Sequence, residues 1–169
     1  MKQSWKPGTV LYPLPAVLVS CGAAPEEYNM LTVAWTGTVC SDPPMCFISV
    51  RPERHSHAII SRTGEFVINL TTRRLARPAD WCGVRSGRDF GKFREMGLTA
   101  VPSEKVAAPL IAESPVNIEC RVRQVLPLGT HDMFLADVVN VLVDARYVDE
   151  RSGRFDLERA GMMAYCHGE

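Results

Sequence analysis

A basic segment directly before a predicted helix carries the side chains best suited to hold an anion. Residues 49–57 are Ser-Val-Arg-Pro-Glu-Arg-His-Ser-His. The free N–H groups and the positive dipole end of a helix make its N-terminus favourable for a phosphate. Arg51 and Arg54 can add bidentate, charge-assisted hydrogen bonds, and Ser56 can cap the helix or bind the phosphate itself. The alternative for this segment is a solvated basic loop before a capped helix.

A second segment has small and hydroxyl-bearing residues where a strand normally carries bulk. Residues 29–38 are Asn-Met-Leu-Thr-Val-Ala-Trp-Thr-Gly-Thr. Such an edge lets backbone N–H and C=O groups come close to a flat polar heterocycle. The alternative is an ordinary strand with one core tryptophan, Trp35.

Two further segments are less specific when each is taken alone. Residues 86–93 are Ser-Gly-Arg-Asp-Phe-Gly-Lys-Phe, which is also typical of a surface loop that caps the next helix. Residues 128–134 place His131 after a glycine, at the start of an apolar strand. A single histidine at a strand start is more often structural than functional.

The composition excludes several classes of function. The 169 residues include 19 Lys+Arg and 19 Asp+Glu, and this lack of net charge argues against a large basic face for nucleic acid. The cysteines form no C-x-x-C pair, which argues against a zinc ribbon or a dithiol redox site and predicts no metal site. Their apolar neighbours are typical of small core residues in a reducing cytoplasm. The six are Cys21, Cys40, Cys46, Cys82, Cys120 and Cys166.

No segment predicts a membrane anchor. No stretch approaches the ~20 apolar residues that a membrane span needs. Residues 18–21, Leu-Val-Ser-Cys, resemble a lipoprotein cleavage box. The apolar run before them is short and broken by Pro13 and Pro15, so a first strand at residues 16–21 is the favoured interpretation.

The patterns predict a single, mainly β domain over residues 1–169. Residues 133–143 are nearly all apolar, which predicts a strand buried on both faces. Strands with inserted helices, and no glycine-rich nucleotide loop, argue against a doubly wound α/β sheet and favour a closed or partly closed antiparallel barrel. The expected strands cover residues 16–20, 29–39, 45–50, 65–70, 116–125 and 133–143. The expected helices begin at residue 56 and stop at Gly64, and cover 75–82 and 90–96.

The four segments together match one family in order and spacing. From residue 12 to residue 165 the chain resembles the flavin-reductase-like FMN-binding split-barrel proteins, and among these the flavoredoxins. The motifs are N-x-x-T-x-A-W at 29–35, D-P-P at 42–44, S-V-R-P-x-R-x-S at 49–56, G-E-F-x-x-N at 64–69, S-G-R-D-x-x-K-F at 86–93 and G-T-H at 129–131.

The resemblance implies an antiparallel split β-barrel with short helical insertions, which binds FMN non-covalently at a homodimer interface. It places His131 beside the reactive face of the flavin, as the catalytic residue. It implies that the ring and ribityl chain lie against Asn29, Thr32, Val33, Ala34 and Trp35. It implies that the phosphate end lies against Ser49, Val50, Arg51, Arg54, Ser56 and His57.

Two departures from the family pattern bear on these expectations. Many relatives continue from the G-T-H motif to V-G-E-V, whereas residues 135–138 here are Leu-Ala-Asp-Val. The chain also stops at His167-Gly168-Glu169, where relatives run on. We therefore expect a changed backbone approach near residue 136 and the loss of a C-terminal segment that helps cover the site.

Three functions are consistent with the sequence. The first is an FMN oxidoreductase that takes electrons from NADH or NADPH and gives them to free flavin or another acceptor. The second is an electron carrier of the flavoredoxin type, reduced by a protein donor. The third is a non-catalytic barrel that binds haem or another planar ligand. In the first two the flavin does the redox chemistry, and the protein supplies orientation and electrostatics.

Overall fold

The computed structural model describes residues 1–166, in which short helices surround a seven-stranded antiparallel sheet. The strands are β1 (Leu14–Pro15), β2 (Val17–Cys21), β3 (Asn29–Val33), β4 (Thr36–Ser41), β5 (Pro44–Val50), β6 (Glu65–Leu70), β7 (Ala100–Val101), β8 (Leu110–Ile111), β9 (Val116–Pro127), β10 (Asp132–Val143) and β11 (Ala164–Tyr165). The α-helices are α1 (His55–Thr63), α2 (Ala76–Val84), α3 (Lys92–Met96) and α4 (Leu157–Ala160). Short 3-10 turns cover Pro25–Glu27, Arg73–Leu75 and Ala145–Tyr147.

The strand order makes the main sheet a split barrel. Its order is β3-β2-β6-β9-β10-β5-β4, and every neighbouring pair is antiparallel. The two edge strands, β3 and β4, follow each other in the chain and are joined by Ala34 and Trp35. The backbone N–H of Ser49, on β5, donates to the Trp35 carbonyl at 2.9 Å. The sheet therefore curls until its edges meet at a seam, which we define as residues 31–35 facing residues 49–51.

Alternate side chains of the strands fill the barrel. Phe66, Phe134 and Ile48 are completely buried, and α1 contributes Ile60 to the same cluster. Of the cysteines, Cys21, Cys46, Cys82 and Cys120 are buried and all six are free thiols. A filled interior leaves a ligand only the outside of the barrel or its seam.

The structure corrects three expectations from the sequence. The predicted strand over 29–39 is two strands, because the chain leaves the ladder at Ala34 and Trp35 to pass from one sheet edge to the other. The predicted burial of 133–143 on both faces is wrong for the single chain, since Val141 is 50% exposed. The helices begin at His55 rather than residue 56, and at Lys92 rather than residue 90.

The departure at residues 135–138 lies away from the seam. Ala136 is buried in the barrel core, and the carboxylate of Asp137 pairs with Arg123 on β9 at 2.7 Å. Within residues 1–166, no helix is long and apolar enough to cross a membrane.

Candidate functional site

Side-chain contacts bring the polar segments together at the seam. The amide Nδ2 of Asn29, at the start of β3, donates to the Ser56 hydroxyl at 2.8 Å, and both residues are buried. The Arg88 guanidinium donates to the Glu53 carbonyl at 3.0 Å. The first contact ties the edge strand to α1, and the second ties the 86–93 segment to the basic segment.

Two adjoining cavities open along the seam, and they share Leu31, Thr32 and Arg54. The first, which we call the seam cavity, has a volume of about 170 Å³ and is lined by Leu31, Thr32, Val33, Ala34, Trp35, Ser49, Val50, Arg51, Arg54 and His131. The second, which we call the basic cavity, has a volume of about 230 Å³ and is lined by Asn29, Leu31, Thr32, Glu53, Arg54, His55, Ser56, Cys82, Gly83, Arg85, Ser86, Gly87, Arg88 and Lys92. Their shared walls make one groove.

Lys92 is a buried cation in the basic cavity. The residue is only 3% exposed, and its Nζ donates to the Cys82 carbonyl at 2.7 Å. Burial, reinforced by the nearby Arg54, lowers the pKa of Lys92. Among residues 1–166 no carboxylate lies within salt-bridge distance of this ammonium. A buried ammonium without a counter-charge is costly, so this cavity is suited to an anion.

The first turn of α1 also faces the basic cavity. Arg54 is the residue at the N-cap position, and no side chain caps the helix there. Ser56 is therefore not the N-cap, because its hydroxyl lies inside the first turn and accepts from Asn29. An uncapped helix N-terminus presents free N–H groups and a positive dipole end to the cavity.

His131 and Trp35 form one wall of the seam cavity. Their ring centroids are 4.5 Å apart with a 40° angle between planes, and the His131 Nδ1 lies 2.9 Å from the Thr130 hydroxyl. Burial, followed by the positive charge of Arg51, lowers the pKa of His131 below its ordinary value of 6.5. The lowered pKa favours the neutral form of the His131 ring, and its Nε2 has no hydrogen-bond partner among the described residues.

Most of the site residues predicted from the sequence line one or both of the two cavities. Asn29 and Ser56 lie in the basic cavity, and Thr32 and Arg54 line both cavities. Arg51 lines the seam cavity, although its place in the sequence suggested the phosphate end. The seam cavity also takes Val33, Ala34, Trp35, Ser49, Val50 and His131.

His57 lines neither cavity. Its Nε2 lies 2.7 Å from Oδ2 of Asp132, on the far side of the first turn of α1. The expected loss of a covering C-terminal segment concerns His167-Gly168-Glu169, which lie outside the described residues.

Three basic residues of the groove were not chosen from the sequence: Arg85, Arg88 and Lys92. The S-G-R-D-x-x-K-F motif was their signal, but a surface loop explained it equally well. The decisive feature is the burial of Lys92, which the 3.6-residue period alone does not predict for a charged residue at a helix start.

Gly87 is required by the close approach of its backbone to Asn29. A Cβ at this position would lie 2.3 Å from Oδ1 of Asn29. Asn29 is buried, and its Nδ2 donates to the Ser56 hydroxyl, so its side chain has little room to move.

Gly87→Ala should therefore lower the free energy of unfolding by about 1–3 kcal/mol through overpacking. Chemical denaturation measures this. Gly91→Ala is the matched control, because its nearest contact would be 3.9 Å away. Equal stability of the two variants would contradict the packing argument.

Known proteins share this fold and this chain's sequence pattern. Residues 9–168 match the flavin reductase like domain family. A protein of Pyrococcus abyssi is 34% identical over 130 residues, which is 77% of this chain and 74% of that protein. The structure of flavoredoxin from Desulfovibrio vulgaris (Miyazaki F) aligns with a TM-score of 0.91 and 31% identity, over 99% of this chain and 90% of that chain.

A more distant structure shows the same fold. The FMN-binding protein of Thermus thermophilus, solved with bound 1-cyclohex-2-enone, aligns with a TM-score of 0.82 at 23% identity, over 99% of this chain and 90% of that chain. The split barrel, the groove at its seam and the match over residues 9–168 lead to one conclusion. The chain belongs to the flavin reductase like domain family.

Proposed function

We propose that the chain binds one FMN non-covalently in the groove and is an oxidoreductase that passes electrons from NADH or NADPH to free flavin or another acceptor. The observation that carries the proposal is the pairing of two features: a buried ammonium at one end of the groove, without a carboxylate partner among residues 1–166, and a stacked Trp35–His131 wall at the other end. When bound, FMN supplies the capacity to accept and release electrons, and the protein positions the reactants.

The basic cavity fits a phosphate monoester. Lys92 and Arg54 would supply its charge compensation, and the uncapped first turn of α1 would supply backbone donors. The cavity has one such cluster of donors. This supports FMN over FAD, whose second phosphate and adenine would need a further site.

The seam cavity fits the flat end of the same molecule. Thr32, on the edge strand β3, and Ala34, which follows it, present small side chains, and Val50 closes the opposite side. The backbone groups between β3 and β4 are not all used by the ladder, because the chain crosses the seam there. Trp35 would cover part of a planar ring, and the neutral His131 would offer one ring nitrogen to an incoming reactant.

The relatives support the proposal. Flavoredoxin of Desulfovibrio vulgaris is 31% identical over nearly the whole of this chain, and the Thermus thermophilus protein is described as FMN-binding.

The similarity to flavoredoxin favours a second candidate, an electron carrier reduced by a protein donor. Arg51, Arg54, Arg85 and Arg88 are exposed at the mouth of the groove, where an acidic protein surface could approach. Anaerobic mixing separates the candidates. NADH or NADPH should bleach the bound flavin if the first is correct and should leave it yellow if the donor is a protein.

The purified protein should be yellow, and denaturation should release FMN. Arg54→Ala should weaken FMN binding by about 1.5–3 kcal/mol, the range for a lost hydrogen bond to a charged group. Titration calorimetry with the flavin-stripped chain measures the change. Arg94→Ala is the control, because Arg94 lies on α3 and its side chain is 83% exposed. Release of FAD, haem or no chromophore, or equal affinity in both variants, would contradict the assignment.

We also propose a C₂ homodimer, because the end of β10 leaves two valines on one face of the strand uncovered. Val141 and Val143 are 50% and 40% exposed. Two-fold association is the commonest way to bury such a face. Light scattering of the FMN-loaded protein should give twice the chain mass, and Val141→Glu should shift it toward the monomer. A monomer mass for the unmodified protein would rule the dimer out.

His131→Ala should retain FMN and the oligomeric state but slow bleaching of the bound flavin about 10- to 100-fold, a typical cost of losing a positioning contact. Because the neutral ring is proposed as the form that acts and its pKa is lowered, the rate should fall as the pH falls, with a midpoint below the ordinary histidine value of 6.5. Stopped-flow absorbance measures the rate.

A purely structural role for His131 predicts a different result. The His131→Ala variant would then lose melting temperature and flavin together, and any flavin still bound would react at the normal rate. The pH step below 6.5 must also be absent from this variant, since another group would otherwise be responsible.

A further inference from the structure

A short buried contact joins the first turn of α1 to the start of β10. Nε2 of His57 lies 2.7 Å from Oδ2 of Asp132, and the two side chains are only 16% and 18% exposed. A carboxylate can only accept, so Nε2 is the donor. The His57 ring also packs edge-on against Phe134, with centroids 5.2 Å apart. The contact is therefore held in one geometry by the barrel core.

The residues next to this contact are the ones that line the seam cavity. Asp132 directly follows His131, and consecutive residues of an extended chain face opposite sides. Asp132 thus reaches α1 while His131 packs against Trp35. On the other side, Asp132 pairs in register with Val50, the residue before Arg51.

Among the described residues, the hydrogen bonds of His131 itself connect it only to its own turn. Its carbonyl accepts from the Leu128 N–H at 2.9 Å, and its Nδ1 lies 2.9 Å from the Thr130 hydroxyl. Both partners belong to the connection between β9 and β10. The chain is therefore fixed to the barrel at the residue after His131, and Asp132 is that residue.

We propose that His57 and Asp132 are a positioning pair for His131. Their hydrogen bond holds the first residue of β10 against α1 and thereby keeps the His131 ring stacked on Trp35 in the seam cavity. Neither residue lines the seam cavity or the basic cavity. The inference rests on the proposed function only for the reactivity of His131.

The position of His131 can be measured directly by NMR. Its ring protons lie in the ring current of Trp35, so their resonances report the stacked arrangement. In the full chain, with and without added FMN, Asp132→Ala should move these resonances toward those of a free histidine. Asp132→Asn keeps an acceptor for His57 and should restore most of the shift. Asp137→Ala, on the same strand and paired with Arg123, is the control and should leave the resonances unchanged.

The kinetic test asks whether Asp132 acts through His131. Asp132→Ala should slow bleaching of the bound flavin about tenfold, the order of effect expected when a reactive group is misplaced. Its FMN affinity should stay within about threefold of the unmodified protein, since neither member of the pair binds FMN. In the His131→Ala background the same substitution should slow the reaction no further.

Three results would overturn the positioning pair. They are an unshifted His131 resonance in Asp132→Ala, an unchanged bleaching rate, and a double variant slower than His131→Ala alone. If Asp132→Ala does not fold, His57→Phe removes the donor while it keeps the ring packing on Phe134, and the same outcomes apply. If the unmodified protein binds no FMN, the proposed function fails, and the His131 resonance still decides the inference.

Discussion

The backbone contact between Trp35 and Ser49 sets the geometry on which the site depends. The edge strands of the sheet are consecutive in the chain, so the two residues between them must cross from one edge to the other. The Ser49 N–H closes the crossing by donating to the Trp35 carbonyl at 2.9 Å. Antiparallel edges that cannot pair along their full length leave backbone groups unused, and a ligand can take them. The same crossing places Thr32, Ala34 and Trp35 opposite Arg51.

The two ends of the groove offer a ligand different physical environments. Lys92 is buried beside a carbonyl, and its charge has no counter-charge among the described residues. Binding of an anion in the basic cavity would therefore stabilise the folded chain. The seam cavity is instead bounded by rings and small side chains. An anion with a flat, neutral extension would satisfy both environments at once. This is the reason for which we propose one elongated ligand rather than two separate ones.

The sequence predicted the architecture because the architecture depends on the pattern of apolar and polar residues along the chain. Strands with inserted helices and the absence of a glycine-rich nucleotide loop predicted an antiparallel barrel. The strand break at Ala34 and Trp35 did not follow, because both residues are compatible with extended backbone and only the closure of the sheet forces the crossing. Burial on both faces of β10 was overestimated, since an apolar run does not distinguish a core from a face that is open in the single chain.

The positions of individual site residues were also only partly predicted by the sequence. The order of the motifs indicated which segments meet, and the structure does bring them together. It also shows that His57 faces Asp132 rather than the cavities, and that Lys92 lies inside the groove. Both outcomes depend on the face of the helix from which the side chain projects. For helices as short as α1 and α3, sequence spacing leaves that choice open.

The arginines of the basic segment affect both ends of the groove. Arg51 and Arg54 each lower the pKa of His131, although burial is the larger cause, and Glu53 opposes them only in part. The residues that attract an anion to the groove therefore keep the histidine neutral. In the proposed complex, a positive charge at the Trp35 end would therefore come from another group. We propose Arg51, because a guanidinium remains charged across the whole range in which the imidazole is neutral, and it lines the same cavity. Charge stabilisation would then belong to Arg51, and contact through a neutral ring nitrogen would belong to His131.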